Sequence, residues 1–365
     1  MAKAPTILDE VCSLPTAPFV ETAVAQYVRT FARKHKRVQI SSDEVGNLLL
    51  ELPGKAAGPR WVFQAHMDHP GFIAAGQTGK RQLQAHFRGG VLNDFVDGSK
   101  VVFFTPSGEV RGRVKAVESR KDRSTPAVVT IKLDVAAEVP DGVVGMFDQG
   151  GSCLKKGIFY SRAIDDLAGV AAALEMLHQL HAARIGGPVA VLLTRGEEDG
   201  FVGGLAAVHL KTLLREDDRI VAIECSAMQP YAPQGKGAII RIGDKTSVFN
   251  SAISYFITQQ AEKLAGRDNT FAYQRALMPG GTCEATVYDA FGYMAGSICV
   301  ALGNYHNMDR EKGKIGPEYI DINDWQNMVK LFVAVARAGH EFSPGHAELK
   351  AKLTKLYAEK ASLLK

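Results

Sequence analysis

At 365 residues, with 46% hydrophobic and 22% charged side chains, the chain is long enough for two domains and has the composition of an ordinary globular protein. A formal net charge of +4 gives nucleic-acid or membrane-surface binding no bulk electrostatic support, and the basic run "RKHKR" (Arg33–Arg37) suits a solvated helix end. The five cysteines (Cys12, Cys153, Cys225, Cys283, Cys299) lack C-x-x-C spacing and no segment reaches a membrane span, so a cytoplasmic protein with reduced thiols and no cleaved leader is expected.

In chain order, residues 7–35 carry helical periodicity, clearest in "ETAVAQYVRTFARK". "RVQISSDEVGNLLLELPG" predicts two short strands around a turn at Asp43–Gly46, and "RWVFQAHMDH" a third. From about 72 to 156, alternating β-branched runs broken by Gly, Pro and Asp predict a small barrel or sandwich inserted into another domain. "GIFYSRAIDDLAGVAAALEMLHQLHA" then returns to strand, loop and helix, and "PVAVLLTRGEEDGFVGGLAAV" repeats that order. "DRIVAIECSA" is a further strand, and the tail from about Asn323 reads as two helices interrupted at Ser343–His346. Alternating strands and helices imply an α/β domain with a mixed, mainly parallel sheet.

Ligands gather outside the carboxyl ends of the strands in such sheets. Residues i and i+2 of a strand share a face, so His66 and Asp68 stand together where "WVFQAH" ends. Asp165 and Asp166, Glu197 and Glu198, Glu224, and His306 follow at corresponding places. Singly, each has a plainer explanation: an aspartate can cap the next helix, paired glutamates can be a solvated loop, and one histidine can be structural. Jointly they would crowd one pocket with negative charge, which raises carboxylate pKa values unless cations compensate. Imidazole and carboxylate ligands without thiolate suit two divalent ions, zinc first, with cobalt or manganese as alternatives.

"AHMDHPGF", "SRAIDDLAG", "TRGEEDGFVGG", "AIECS", "MPGGTCEATVYDA" and "GNYHNMD", in this order from Ala65 to Asp309, resemble the tetrahedral-aminopeptidase (glutamyl aminopeptidase) family of co-catalytic zinc metallopeptidases. The β-rich insertion falls where that family places it. The resemblance implies a three-layer zinc-peptidase-like domain over 1–71 and 157–342, an inserted β-barrel-like domain over 72–156 and a helical tail over 343–365. It implies that His66 and Glu224 bind one ion, Glu198 and His306 the other, and Asp165 bridges them, with Asp166 as support. Asp68 would orient His66. Glu197 would be the general base, drawing a proton from a metal-bridged hydroxide's parent water. The sequence departs from the family at Cys283–Glu284, where Asp commonly follows the Thr, at Glu224, where Asp is commoner, and after His306, where Ser-Pro is usual. His69 beside Asp68 is unusual and reads equally as a pocket or a structural residue.

The function expected is removal of N-terminal residues from short peptides by a homo-oligomer, on the family's pattern a dodecamer, with no nucleic-acid or membrane partner. A metallo-carboxypeptidase or deacylase on the same centre, or a binding scaffold without catalysis, are the alternatives. Arg195 or Arg241 would favour acidic substrates if either lines the pocket; each reads equally as a surface charge or an ion pair.

Overall fold

A computed structural model describes residues 4–54, 58–120, 126–344 and 347–364. Eight strands form one mixed sheet in the spatial order Gln39–Ser42, Leu48–Leu52, Val189–Thr194, Trp61–His66, Arg219–Ala227, Met294–Leu302, Ala238–Gly243, Tyr273–Leu277. Its middle four strands are parallel. Leu48–Leu52 and Ala238–Gly243 run antiparallel on either side of them.

Both faces of the four parallel strands are covered, which is why apolar residues dominate both of their faces. Trp61, Phe63, Ala65, Val191 and Leu193 face the helices Leu167–Ala182, Ser251–Ala265 and Ile322–Ala338. The intervening Val62, Ala190 and Leu192 face the helices Val202–Leu210 and Glu284–Ala290. The result is three layers. Trp61 and Phe63 are fully buried, each worth about 1.5–3 kcal/mol of apolar burial.

The insertion closes into a barrel of Gly71–Gly79, Gln82–Arg88, Pro126–Leu133, Gly108–Ser119, Lys100–Thr105 and Val144–Phe147. Phe72, Leu83, Phe87, Phe103, Ile131 and Phe147 fill it as a core separate from that of the sheet. Cys153–Lys155, at the far end of the stretch read as β-rich, pairs instead with Ile158–Ser161, which pairs with Glu318–Asp321.

The helical reading of 7–35 divides in two. Helices occupy Thr6–Cys12 and Thr22–Lys34, and the chain between them carries Pro15 and Pro18, each of which disfavours helix before it. The tail holds the helices Ile322–Ala338 and Ala347–Lys360. Of the break expected at Ser343–His346, Gly345 and His346 lie outside the described residues. No helix among the described residues is long and apolar enough to cross a membrane.

Candidate metal centre

The crevice lies where the parallel strands part. Register puts Thr194 opposite His66, and the pairing of Arg219–Ala227 with Trp61–His66 stops at Ala222 and Gln64. Glu224, two residues on, therefore stands beside His66 at the mouth of the split. His306 follows the strand Met294–Leu302, and Asp165 precedes the helix Leu167–Ala182.

His66 is 1% exposed. Its Nδ1 faces the Asp68 carbonyl oxygen at 3.2 Å and the Asp68 carboxylate at 3.6 Å. Its Nε2 points the other way, 3.7 Å from Asp165 Oδ1 and 3.8 Å from Glu197 Oε2. Asp165 turns its second oxygen to the other imidazole, with Oδ2 3.7 Å from His306 Nε2. One carboxylate thus spans two histidines. Burial opposes ionisation of Asp165, but His66, and then His306 and His69, outweigh it and hold the carboxyl below the usual range.

Glu197, Glu198 and Asp199 form a short 3-10 turn between Gly196 (φ 61°) and Gly200 (φ 112°), both in the left-handed region that glycine tolerates. The Asp68 carboxylate accepts the backbone N–H groups of both Glu197 and Glu198, each at 3.0 Å. It therefore anchors this turn more directly than it holds His66. Burial pushes the Glu197 carboxyl well up, and that of Glu224 up to about 8, with Asp165 adding to the second shift and Arg241 opposing it. His306 is left-handed (φ 55°), and the nearby Glu198 and Asp165 carry its pKa to about 9 against the effect of burial.

Two sets of donors converge: His66, Glu197 and Glu224, and Asp165, Glu198 and His306, with ligand atoms inside each set within 4.8 Å of one another. Asp165, Asp166 and Cys225 form a third, buried set, and Cys225 Sγ lies 3.6 Å from Asp166 Oδ1. Asp166 makes no side-chain cap to the following helix. The donors fit divalent ions. Asp165 Oδ1, Glu198 Oε1 and His306 Nε2 are buried without a hydrogen-bond partner. Although Glu198 Oε1 and His306 Nε2 are 3.0 Å apart, no aligned hydrogen bond joins them, so both are free to share a third atom.

His69 is structural. Its Nδ1 meets the Asp165 carbonyl at 2.6 Å and its Nε2 meets Asn307 Oδ1 at 3.0 Å. Arg195 is a clamp outside the pocket, donating to Glu21, Val45 and Phe19. Arg241 is buried beside Glu224, where both line a small pocket, and two of its nitrogens lack partners. Glu284 sits under the crevice, accepting from Thr194 Oγ1 at 2.8 Å and from the Gln64 amide.

Sequence reasoning missed Glu318. This buried carboxylate accepts the backbone N–H groups of Ile164 (2.7 Å), Asp165 (3.1 Å) and His306 (2.8 Å), tying the two ligand-bearing loops together. Its only sequence signal is an acid opening the short apolar run "EYI" after Gly-Pro.

Residues 46–331 match the family described as M42 glutamyl aminopeptidase. YhfE of Bacillus subtilis, whose name provisionally marks it an aminopeptidase, is 21% identical over 331 residues, which cover 84% of this chain and 92% of that protein. Aminopeptidase APDkam598 from the archaeon Desulfurococcus kamchatkensis superposes with a TM-score of 0.75 at 21% identity, covering 91% of this chain and 93% of that one. The TET1 peptidase of Pyrococcus horikoshii superposes with a TM-score of 0.74 at 22% identity, covering 90% and 98%. These superpositions establish the fold. The profile match spans most of the chain, which therefore belongs to the M42 glutamyl aminopeptidase family and is a metal-dependent peptidase.

Proposed function

We propose that the chain is a dinuclear aminopeptidase that removes residues from the free N-termini of short peptides. His66, Asp165 and Glu224 would hold one divalent ion and Asp165, Glu198 and His306 the other, with zinc ahead of cobalt or manganese. The observation that carries this reading is the Asp165 carboxylate, whose two oxygens each face a different histidine at 3.7 Å. Bound ions would supply Lewis acidity, lowering the pKa of a water and polarising the scissile carbonyl.

Glu197 is the general base in this reading. It would take a proton from the attacking water and return it to the departing amine, a role suited to a buried carboxyl whose pKa is pushed up. Asp68 fixes the Glu197–Glu198 turn through two backbone N–H groups and turns His66 so that Nε2 faces the crevice. Asp166 and Glu318 support the bridging residue from behind.

The same reading takes 1–71 and 157–342 as one catalytic domain, 72–156 as a barrel domain within it and 343–365 as a tail, supported by the barrel's separate core. All five cysteines are unpaired, which supports a reducing, cytoplasmic setting. TET1 of Pyrococcus horikoshii is described as assembling into a tetrahedron or an octahedral shell, and we propose a homo-oligomer, on that pattern a dodecamer, here too.

The test is hydrolysis of short peptides with free and with acetylated N-termini by zinc-, cobalt- or manganese-loaded protein. A chelated sample and Glu197→Gln serve as controls. Stepwise release from free termini alone, lost in both controls, is expected. Cleavage of acetylated peptides would transfer the reading to a carboxypeptidase or deacylase.

A further inference from the structure

The Glu197–Asp199 turn is also gripped from its barrel side. Asp199, the third residue of the turn that carries Glu197 and Glu198, is forked by two arginines of the barrel. Arg88 Nη1 donates to its Oδ2 at 2.9 Å, and Arg120 Nη1 to its Oδ1 at 2.8 Å. The two come from different barrel strands: Arg88 ends Gln82–Arg88, and Arg120 follows Gly108–Ser119 and donates to the Phe87 carbonyl. Arg88 also lies over the Phe19 ring, and a Cβ on Gly196 would sit 2.6 Å from that ring, so this stack abuts the start of the turn. Two residues beyond Arg88, the Gly90 carbonyl faces His306 Nδ1 at 3.2 Å, which directs Nε2 toward Glu198 and Asp165. One short barrel segment thus touches two of the three loops that carry the second donor set.

We infer that Arg88 and Arg120, acting through Asp199, are positioning residues that set the Glu197–Glu198 turn for ion binding and catalysis, so that the barrel is part of the active-site scaffold. The physical reason lies in the turn itself. It is three residues long, bounded by two left-handed glycines, and its backbone torsions are therefore weakly restrained from within. Asp68 holds its N–H groups from the sheet side, and the arginine fork holds its far end. Without the fork the turn rotates about the Asp68 anchor and both carboxylates move together. Small displacements of this kind are costly, because groups that orient metal ligands typically change affinity or activity by about 10–100-fold when removed.

The inference rests on the dinuclear aminopeptidase reading, and its test separates the two. The full chain is prepared as wild type, as the Arg88→Gln/Arg120→Gln double variant, as Asp199→Asn, and as the triple variant. Zinc affinity is measured by dialysis against a competing chelator, kcat and KM with the peptide that the wild type cleaves, and folding by circular dichroism and thermal melting. The arginine variant should fold, bind one of its two ions at least about tenfold more weakly, and lose at least about tenfold in kcat with KM within about threefold. Asp199→Asn should reproduce this, and the triple variant should be no worse than either. Zinc affinity and kcat within twofold of wild type would overturn the inference. So would a fall in melting temperature with ion affinity unchanged, which marks a merely structural contact. Should the wild type bind two ions and cleave no peptide, the aminopeptidase reading fails while the zinc-affinity comparison still decides this one.

Discussion

Glu284→Gln tests how the crevice holds its charge without touching a candidate ligand. Glu284 is 1% exposed; Oε2 accepts from Thr194 and Gln64, and Oε1 is buried without a partner. Burial is the main cause that lifts its pKa from 4.5 to about 7. Because the folded-state value is the higher one, the folded protein binds this proton more tightly than the unfolded chain does. The resulting stability is fully present below about pH 4.5 and is lost as pH rises through about 7. The rise from 4.5 to about 7 corresponds to about 3 kcal/mol. The substituted amide keeps an oxygen for Thr194 and Gln64 and cannot ionise. Its NH₂ enters the place of the unpartnered Oε1, at a pH-independent cost of about 1–3 kcal/mol. Urea unfolding of both proteins, in chelator, at pH 5 and pH 9 should show the variant less stable at pH 5 and the difference narrowing or reversing by about 3 kcal/mol at pH 9. A difference between the two proteins that stays constant within about 0.5 kcal/mol across that range would refute the reasoning.

Other consequences are as direct. His306 is carried to about 9, so its imidazole holds an extra proton near pH 7.5 in chelated protein, and zinc must displace it; Glu197, Asp165 and Asp68 shift His66 in the same direction against its burial. Calorimetric titrations in buffers of different ionisation enthalpy should register proton release, and none would remove His306 from the ligand set. Zinc at about a thousand times its dissociation constant should stabilise the fold by about 4 kcal/mol, read as a rise in melting temperature that chelator reverses. Asp68→Ala leaves the N–H groups of Glu197 and Glu198 unpaired and should lower kcat far more than it raises KM; unchanged kcat would show that the turn keeps its position unaided. At Gly203 an added Cβ would lie 2.4 Å from both the backbone N and O of Arg195, so Gly203→Ala should destabilise by about 1–3 kcal/mol, and an unchanged melting curve would contradict this close approach.

The site was readable because the apolar runs of the four parallel strands carry polar residues at their carboxyl ends or in the loops that follow, all on one side of the sheet. His66, Glu198, Glu224 and His306 lie together for that reason, and Asp165 joins them from the loop after Ile158–Ser161, a strand outside that sheet. Motif order, rather than periodicity, indicated which acid faced which histidine. Three things were hidden. The split of the first helical stretch rests on Pro15 and Pro18, which an amphipathic pattern running across them concealed. Asp199 gave no signal of its own, since its arginine partners lie 111 and 79 residues away in the barrel. Glu318 binds only backbone N–H groups among its close partners, and main-chain donors leave no trace in residue identity.

Acids that build the centre and acids that could occupy it differ in what satisfies them. Asp68 and Glu318 accept two and three backbone N–H groups, donors that carry no net charge. Asp165 Oδ1 and Glu198 Oε1 have no such donor. Unpartnered oxygens also remain on Asp166 and Glu284, but burial drives both of those groups toward their neutral form. A carboxylate held by backbone dipoles keeps its place without importing a cation, whereas one held by arginine would already be neutralised. Near the ligands the only buried arginine described is Arg241, beside Glu224, and the Arg88–Arg120 fork stays at the rim on Asp199. Keeping fixed positive charge largely off Asp165 and Glu198 leaves the electrostatic demand of the crevice for mobile divalent ions to meet.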